Sequence, residues 1–242
     1  ETTRYQNQLA ATLYRQADQA QDKDSSTASK LYQQASDTTQ DNAIKVDAAW
    51  RSAMVLGEVP AAVPTLQAFY ARYPDNEQAV GIPERIVKIQ EQAQDWQGAA
   101  RTYQLIYQRD SKAKPDNALA ALWLSADSQR KATGAAETDR KIPATAAEVN
   151  LYRQYLAEPR ADLAQSLEAS ERLYQDAVLR RDSTGQMQEL QRQLGFANRL
   201  ATAPATVQPR LRYLAARAHS IIDQPIIEQY RSITITQPLK NS

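Results

Sequence analysis

The sequence predicts an all-α fold built from antiparallel helix hairpins that repeat along the chain. Three observations carry this expectation. The tripeptides QDN, PDN and PDN stand at 40–42, 74–76 and 115–117, so their Asp–Asn pairs lie 34 and then 41 residues apart. A separation of 34 is the period of a two-helix repeat. Apolar residues recur at the i, i+3, i+4, i+7 spacing of a helix that buries one face. Only 6 of 242 residues are Gly, too few for a fold that depends on tight hairpins or phosphate-cradling loops.

The elements follow in order. IKVDAAWRSAMVLG at 44–57 puts Val46, Ala49, Trp50, Ala53 and Met54 on one face, and Gly57 supplies a C-terminal stop. AAVPTLQAFYARYP at 61–74 puts Ala62, Leu66, Phe69, Tyr70 and Tyr73 on one stripe, and Pro74 ends it. The two helices make one hairpin. A stripe of Ile82, Ile86, Ile89 and Ala93 is followed by its partner of Ala99, Tyr103, Ile106 and Tyr107. Leu119, Leu122, Trp123 and Ala126 come next, and 133–147, with Gly134 and Pro143, reads as an irregular lengthened turn. Beyond it lie Tyr152, Tyr155 and Leu156, then Leu163, Leu167, Ser170, Tyr174, Ala177 and Val178. Met187, Leu190, Leu194 and Ala197 precede a last clear helix of Leu211, Leu214, Ala215, Ala218 and Ile222. SITIT at 232–236 is a short strand-like alternation.

Aligning the second helices tests the repeat. Ala28, Ala62 and Ala99 begin them, with Tyr32, Leu66 and Tyr103 four residues on and Ala35, Phe69 and Ile106 three further. A small residue lets two helices approach, and a large one fills the space beside it. Agreement at three offsets, together with the Asp–Asn punctuation, predicts a true repeat. Asp or Asn at those junctions is expected to cap the next helix.

Composition removes several classes. Apolar residues make up 42% and charged residues 24%, which excludes an intrinsically disordered chain. A net charge of +1 and a pI near 8.1 predict neither nucleic acid nor an anionic membrane as partner. No apolar run approaches 18 residues, so no transmembrane segment is expected. With no Cys there is no disulfide, thiolate metal site or Cys nucleophile, a composition that cytoplasmic and periplasmic proteins share. The chain begins at Glu1, which reads as a trimmed mature protein or a fragment of a longer one. His219 is the single histidine, so a two-His zinc site is excluded, and no GxSxG, HExxH, Walker A or GxGxxG pattern occurs. The sequence predicts no enzyme, no cofactor and no metal. Most of Tyr70, Tyr73, Tyr103, Tyr107, Tyr152, Tyr155 and Tyr174 are expected in the core rather than in an exposed stacking ladder. Arg210, Arg212 and Arg217 read as a solvated basic face.

The same residues resemble the tetratricopeptide-repeat (TPR) family. That pattern has a small residue early in the second helix, a large apolar one four later, a small or apolar one three further, then a closing Pro. Ala62, Leu66, Phe69 and Pro74 match it, as do Ala99, Tyr103 and Ile106. The resemblance covers about 24–130; Trp50 is displaced from the family's usual Trp position, and SKAK at 111–114 is an insertion. LYRQYLAEPRADLAQSLEASERLYQDA, LRYLAARAHSI and the following segment are similar to the tails of long TPR proteins of the bacterial cell envelope. The resemblance implies a right-handed superhelical solenoid, with TPR-like repeats over 1–132, the irregular turn at 133–147 and degenerate hairpins over 148–223. Residues 224–242 would be an exit segment into a continuation. It also implies a periplasmic setting.

In the family, first helices line a concave groove that takes a protein or peptide. Counting back from Ala62 and Ala99 places Asp47, Arg51, Glu84, Lys88 and Glu91 on that inner surface. The bland reading of Glu84, Lys88 and Glu91 is a solvated face with an ordinary i, i+4 pair. The resemblance therefore implies a non-catalytic protein–protein interaction scaffold within a larger envelope protein. A different reading is a helical substrate-handling arm of an enzyme that processes cell wall or polysaccharide, its catalytic domain lying elsewhere. A third is a self-associating structural module.

Overall fold

The computed structural model describes residues 1–134 and 142–233. Among them are eleven α-helices, two 3-10 turns (Pro60–Ala62 and Glu77–Ala79) and no strand. The helices are α1 (Thr2–Ala20), α2 (Ser25–Thr38), α3 (Asn42–Met54), α4 (Val63–Arg72), α5 (Ile82–Gln92), α6 (Trp96–Asp110), α7 (Pro115–Ala132), α8 (Ala146–Ala157), α9 (Leu163–Leu179), α10 (Ser183–Ala197) and α11 (Gln208–Ser232). Each of α1 to α5 packs on the helix that follows it, and so does each of α8 to α10. The chain divides into two compact units, Glu1–Ser128 and Gln129–Ser242.

Asp starts five of these helices. In α2, α3, α6, α9 and α10 the residue before the helix is Asp24, Asp41, Asp95, Asp162 or Asp182, and its carboxylate accepts from a backbone N–H of the first turn. Such a cap satisfies donors that have no partner within the helix. The repeated tripeptides divide. Asp41 caps α3, and Asn76 accepts from Gln78 N to start the second 3-10 turn. At 115–117 the expectation fails, because Pro115 is itself the first residue of α7. Proline fits that position because its missing N–H has no intrahelical acceptor to serve. Asp116 is thereby carried into the first turn, where its charge favours the helix dipole rather than capping.

The α5–α6 and α9–α10 junctions share one turn. Gln94 and Arg181 adopt the left-handed conformation with φ of 57°, and the Asp cap follows at once. The cap N–H then returns to the preceding helix at 2.8 Å in both, from Asp95 to Gln90 O and from Asp182 to Ala177 O. Three residues after the cap both junctions place Gly. A Cβ on Gly98 would stand 2.1 Å from Asp95 Oδ2 and 2.6 Å from Gln90 Nε2. Gln90 is buried and accepts from Thr102 Oγ1 at 2.8 Å, so it has little room to move. Gly98→Ala should therefore lose the cap and cost about 1–2 kcal/mol despite alanine's better helix propensity. The same change should cost less in an Asp95→Ala background. Equal costs in the two backgrounds, measured by urea unfolding, would show that the cap and the glycine are independent.

In the first unit the aligned repeat positions form the core. Ala28, Ala62 and Ala99 are fully buried, and Tyr32, Leu66, Tyr103, Ala35, Phe69 and Ile106 are no more than 8% exposed. Ala49, Ala53, Leu66, Phe69, Ile82, Ile86 and Ile89 join α3, α4 and α5, with Trp50 and Tyr73 against their edge. Serines link neighbouring helices through backbone carbonyls. Ser29 Oγ donates to Ser52 O and Ser52 Oγ to Ser29 O, each at 2.8 Å, and Ser125 Oγ donates to Ala100 O at 2.8 Å. Ala93, expected on the α5 stripe, is exposed because the helix ends at Gln92 and the chain turns there.

The second unit packs Leu163, Leu167, Leu211 and Leu214 around Ala203, with Phe196, Leu200 and Val207 alongside. Val178 and Met187 leave their expected stripes and are 44% and 40% exposed, on either side of the α9–α10 turn. The irregular turn is shorter than 133–147, since the Thr145 hydroxyl caps α8 and the helix starts at Ala146. Residues 135–141 lie outside the described residues. The exit segment is helical as far as Ser232, because α11 continues through Pro225. From His219 to Ile233 every residue but Ile222 is exposed. Of the strand-like SITIT, Ser232 ends α11, Ile233 follows it, and 234–236 lie outside the described residues.

Candidate functional site

The five residues picked from the sequence all fall in the first unit. Asp47 and Arg51 stand one turn apart on α3 and meet α1. Tyr14 donates to the Asp47 carboxylate, and Arg51 Nε donates to the same oxygen, Oδ2, at 3.1 Å. The Arg51 guanidinium lies 5.4 Å from the Tyr14 ring centre and 3.9 Å from Asp18, which also accepts from Tyr32 at 2.6 Å. Tyr14 and Tyr32 meet edge to face at 5.2 Å. Burial and then the Asp47 carboxylate push the Tyr14 phenol up, so it remains a hydrogen-bond donor. Two tyrosines, two carboxylates and one guanidinium thus tie α1, α2 and α3 together beside an open surface.

On α5 the three residues picked from the sequence have separate partners. Glu84 binds the Arg109 guanidinium from α6, with Nη1 at 3.2 Å, and Arg109 also grips Val80 O and the buried Asp110. Lys88 Nζ meets Glu58 at 2.7 Å, in the segment between α3 and α4. That contact replaces the i, i+4 pair with Glu84 that spacing alone suggests. Glu91 accepts from the Tyr103 hydroxyl at 2.8 Å, and burial followed by this carboxylate pushes the Tyr103 phenol up. Glu84 and Glu91 therefore both turn toward α6, whereas Lys88 turns the other way.

Beside the Asp47–Arg51 pair runs a groove of about 500 Å³, lined by Ala11, Tyr14 and Arg15 of α1 and Ala43, Ile44 and Asp47 of α3. A second depression of about 400 Å³ shares Ala43 and Asp47 and extends to Asn76, Glu77 and Gln78. Another, of about 480 Å³, lies between α2 and α4 around Lys30, Gln33, Gln34 and Thr65.

The second unit holds charge in its interior, which the sequence reading missed. Arg172 is 7% exposed and Glu148 is fully buried, and they pair at 2.9 Å. Arg210 is exposed as the sequence reading expected, but Arg210 and the partly buried Arg217 do more than face solvent. Both bind Glu171, at 3.1 and 3.4 Å, and Arg217 also reaches Gln193 and lies 4.9 Å from the Tyr174 ring centre. Arg212, exposed like Arg210, lies beside Gln208 instead. One sequence signal pointed toward Glu148: Thr145-Ala-Ala-Glu148 has the spacing of a helix-capping box. The Glu148 side chain, however, leaves its own helix terminus for Arg172. His219 is exposed and stands 3.9 Å from Asp223.

Among the described residues no helix is long and apolar enough to cross a membrane. No protein-family model, curated protein or solved structure matches the chain.

Proposed function

We propose that the chain is a TPR-like, non-catalytic scaffold that binds a protein or peptide along its first helices, within a larger protein of the bacterial envelope. The supporting observation is the open groove between α1 and α3, bordered by Asp47 and Arg51, whose charges are held by neighbours instead of lying loose. A rigid charged rim favours recognition over adaptability, because its side chains lose little freedom when a partner arrives. The sequential packing of short hairpins, and the burial of every aligned repeat position, support the right-handed solenoid that the family resemblance implies. Glu84, Lys88 and Glu91 extend the charged surface onto α5, and the periplasmic setting follows from the same resemblance.

The test neutralises charge without removing hydrogen-bond acceptors. Glu84→Gln, Lys88→Gln and Glu91→Gln combined should leave the thermal midpoint nearly constant. Glu84 and Lys88 are half-exposed, and an amide oxygen in place of the Glu91 carboxylate can still accept from Tyr103. Recovery of partners from a bacterial envelope extract should fall several-fold, mostly through slower association at low salt. Undiminished recovery with the folded variant would move the partner off α5, the α2–α4 depression being the next place to look.

A further inference from the structure

The two depressions on the first-helix side share Ala43 and Asp47, so they are compartments of one surface. Their chemistry differs. The first has an apolar floor of Ala11, Tyr14 and Ile44, with Ile44 37% exposed in the first turn of α3. Arg15 belongs only to this compartment, and its Nε merely donates back to Ala11 O of its own helix at 3.3 Å. The second compartment is polar, and Glu77 belongs only to it. Glu77 is exposed, and among the described residues no cation pairs with it and no carboxylate pairs with Arg15. Asp47, at the centre, is already held by Tyr14 and Arg51.

An open apolar floor between two unpaired charges of opposite sign is a directional surface. We infer that it seats an extended peptide segment carrying an apolar side chain on Ile44 and Tyr14, a basic side chain toward Glu77 and an acidic one toward Arg15. This rests on the scaffold reading above and gives that partner its chemistry. The apolar side chain would act as the anchor, because desolvated central contacts dominate affinity. The two rim charges would set orientation and association rate more than strength.

Panning a phage-displayed random peptide library against the full chain tests this. Enriched peptides should carry an apolar residue with a basic residue on one side and an acidic residue on the other. A labelled peptide made from them should bind Ile44→Asp about tenfold more weakly. It should also weaken on Glu77→Lys and recover there when its basic residue is exchanged for Glu. Circular dichroism checks that both variants fold, and the surface position of Glu77 makes its variant safe if Ile44→Asp is not. Binding that ignores Ile44→Asp and Glu77→Lys but falls in the α5 triple variant would overturn this placement and leave the scaffold reading standing. Enriched peptides without the charge pattern would overturn the proposed chemistry. No enrichment on the folded chain would overturn both.

Discussion

Arg172→Met should destabilise the second unit by about 3–5 kcal/mol, because it strands a buried carboxylate. Arg172 Nε donates to Glu148 at 2.9 Å and its Nη2 donates to Ile142 O at 3.1 Å, so one side chain links α9 to α8 and to the segment before it. Among the described residues the other oxygen of Glu148, Oε2, is buried with no hydrogen-bond partner, so Arg172 is what offsets the cost of taking that charge out of water. Methionine has nearly the length of the arginine stem and fills the space, which confines the effect to charge and hydrogen bonding. A double Glu148→Leu, Arg172→Met variant should regain much of the loss, since well-packed apolar groups often replace a buried ion pair without penalty. Chemical unfolding followed by far-ultraviolet circular dichroism measures both. If the single variant matched the wild type, Glu148 would have to be solvated or protonated once its partner is gone.

Phe69→Ala and Leu66→Ala should each destabilise the first unit strongly, by about 3–5 and 2–5 kcal/mol respectively. Leu66 is fully buried and Phe69 is 2% exposed, both in the cluster that joins α3, α4 and α5. Phe69 lies with ring centres 5.3 Å from Trp50 and 5.1 Å from Tyr73, so its loss opens a cavity between aromatic neighbours that cannot collapse freely. All three tryptophans, Trp50, Trp96 and Trp123, lie within residues 1–128, and their fluorescence therefore reports this unit. The tryptophan unfolding midpoint should drop in both variants. An unchanged midpoint in both would mean that this cluster is not what stabilises the repeats. Treating each unit with its own probe matters, because a two-unit chain need not unfold in one step.

The sequence by itself determined the helical class and the first-unit core. Helical periodicity is local, and a stripe such as Ile82, Ile86 and Ile89 must be buried whatever covers it. Ala28, Ala62 and Ala99, with the residues four and seven beyond, were legible because the small residue recurs where helices approach, although the position seven beyond varies from Ala35 to Phe69. Junction signals were half legible. Asp41 is the N-cap of its helix, yet the like-spelled Asp116 is not, since the helix starts two residues earlier in the tripeptide, at Pro115, and the carboxylate falls inside the first turn. Of the candidate site, sequence position placed Asp47, Arg51, Glu84, Lys88 and Glu91 on α3 and α5, but only the tertiary structure assigned their partners. Tyr14 is 33 residues from Asp47, Glu58 is 30 from Lys88 and Arg109 is 25 from Glu84. The same holds for Glu148 with Arg172 and Glu171 with Arg217, where a charged residue that reads as surface becomes interior. A charge carries no local mark of its partner: whether it is solvated or buried depends on which distant helix folds against it.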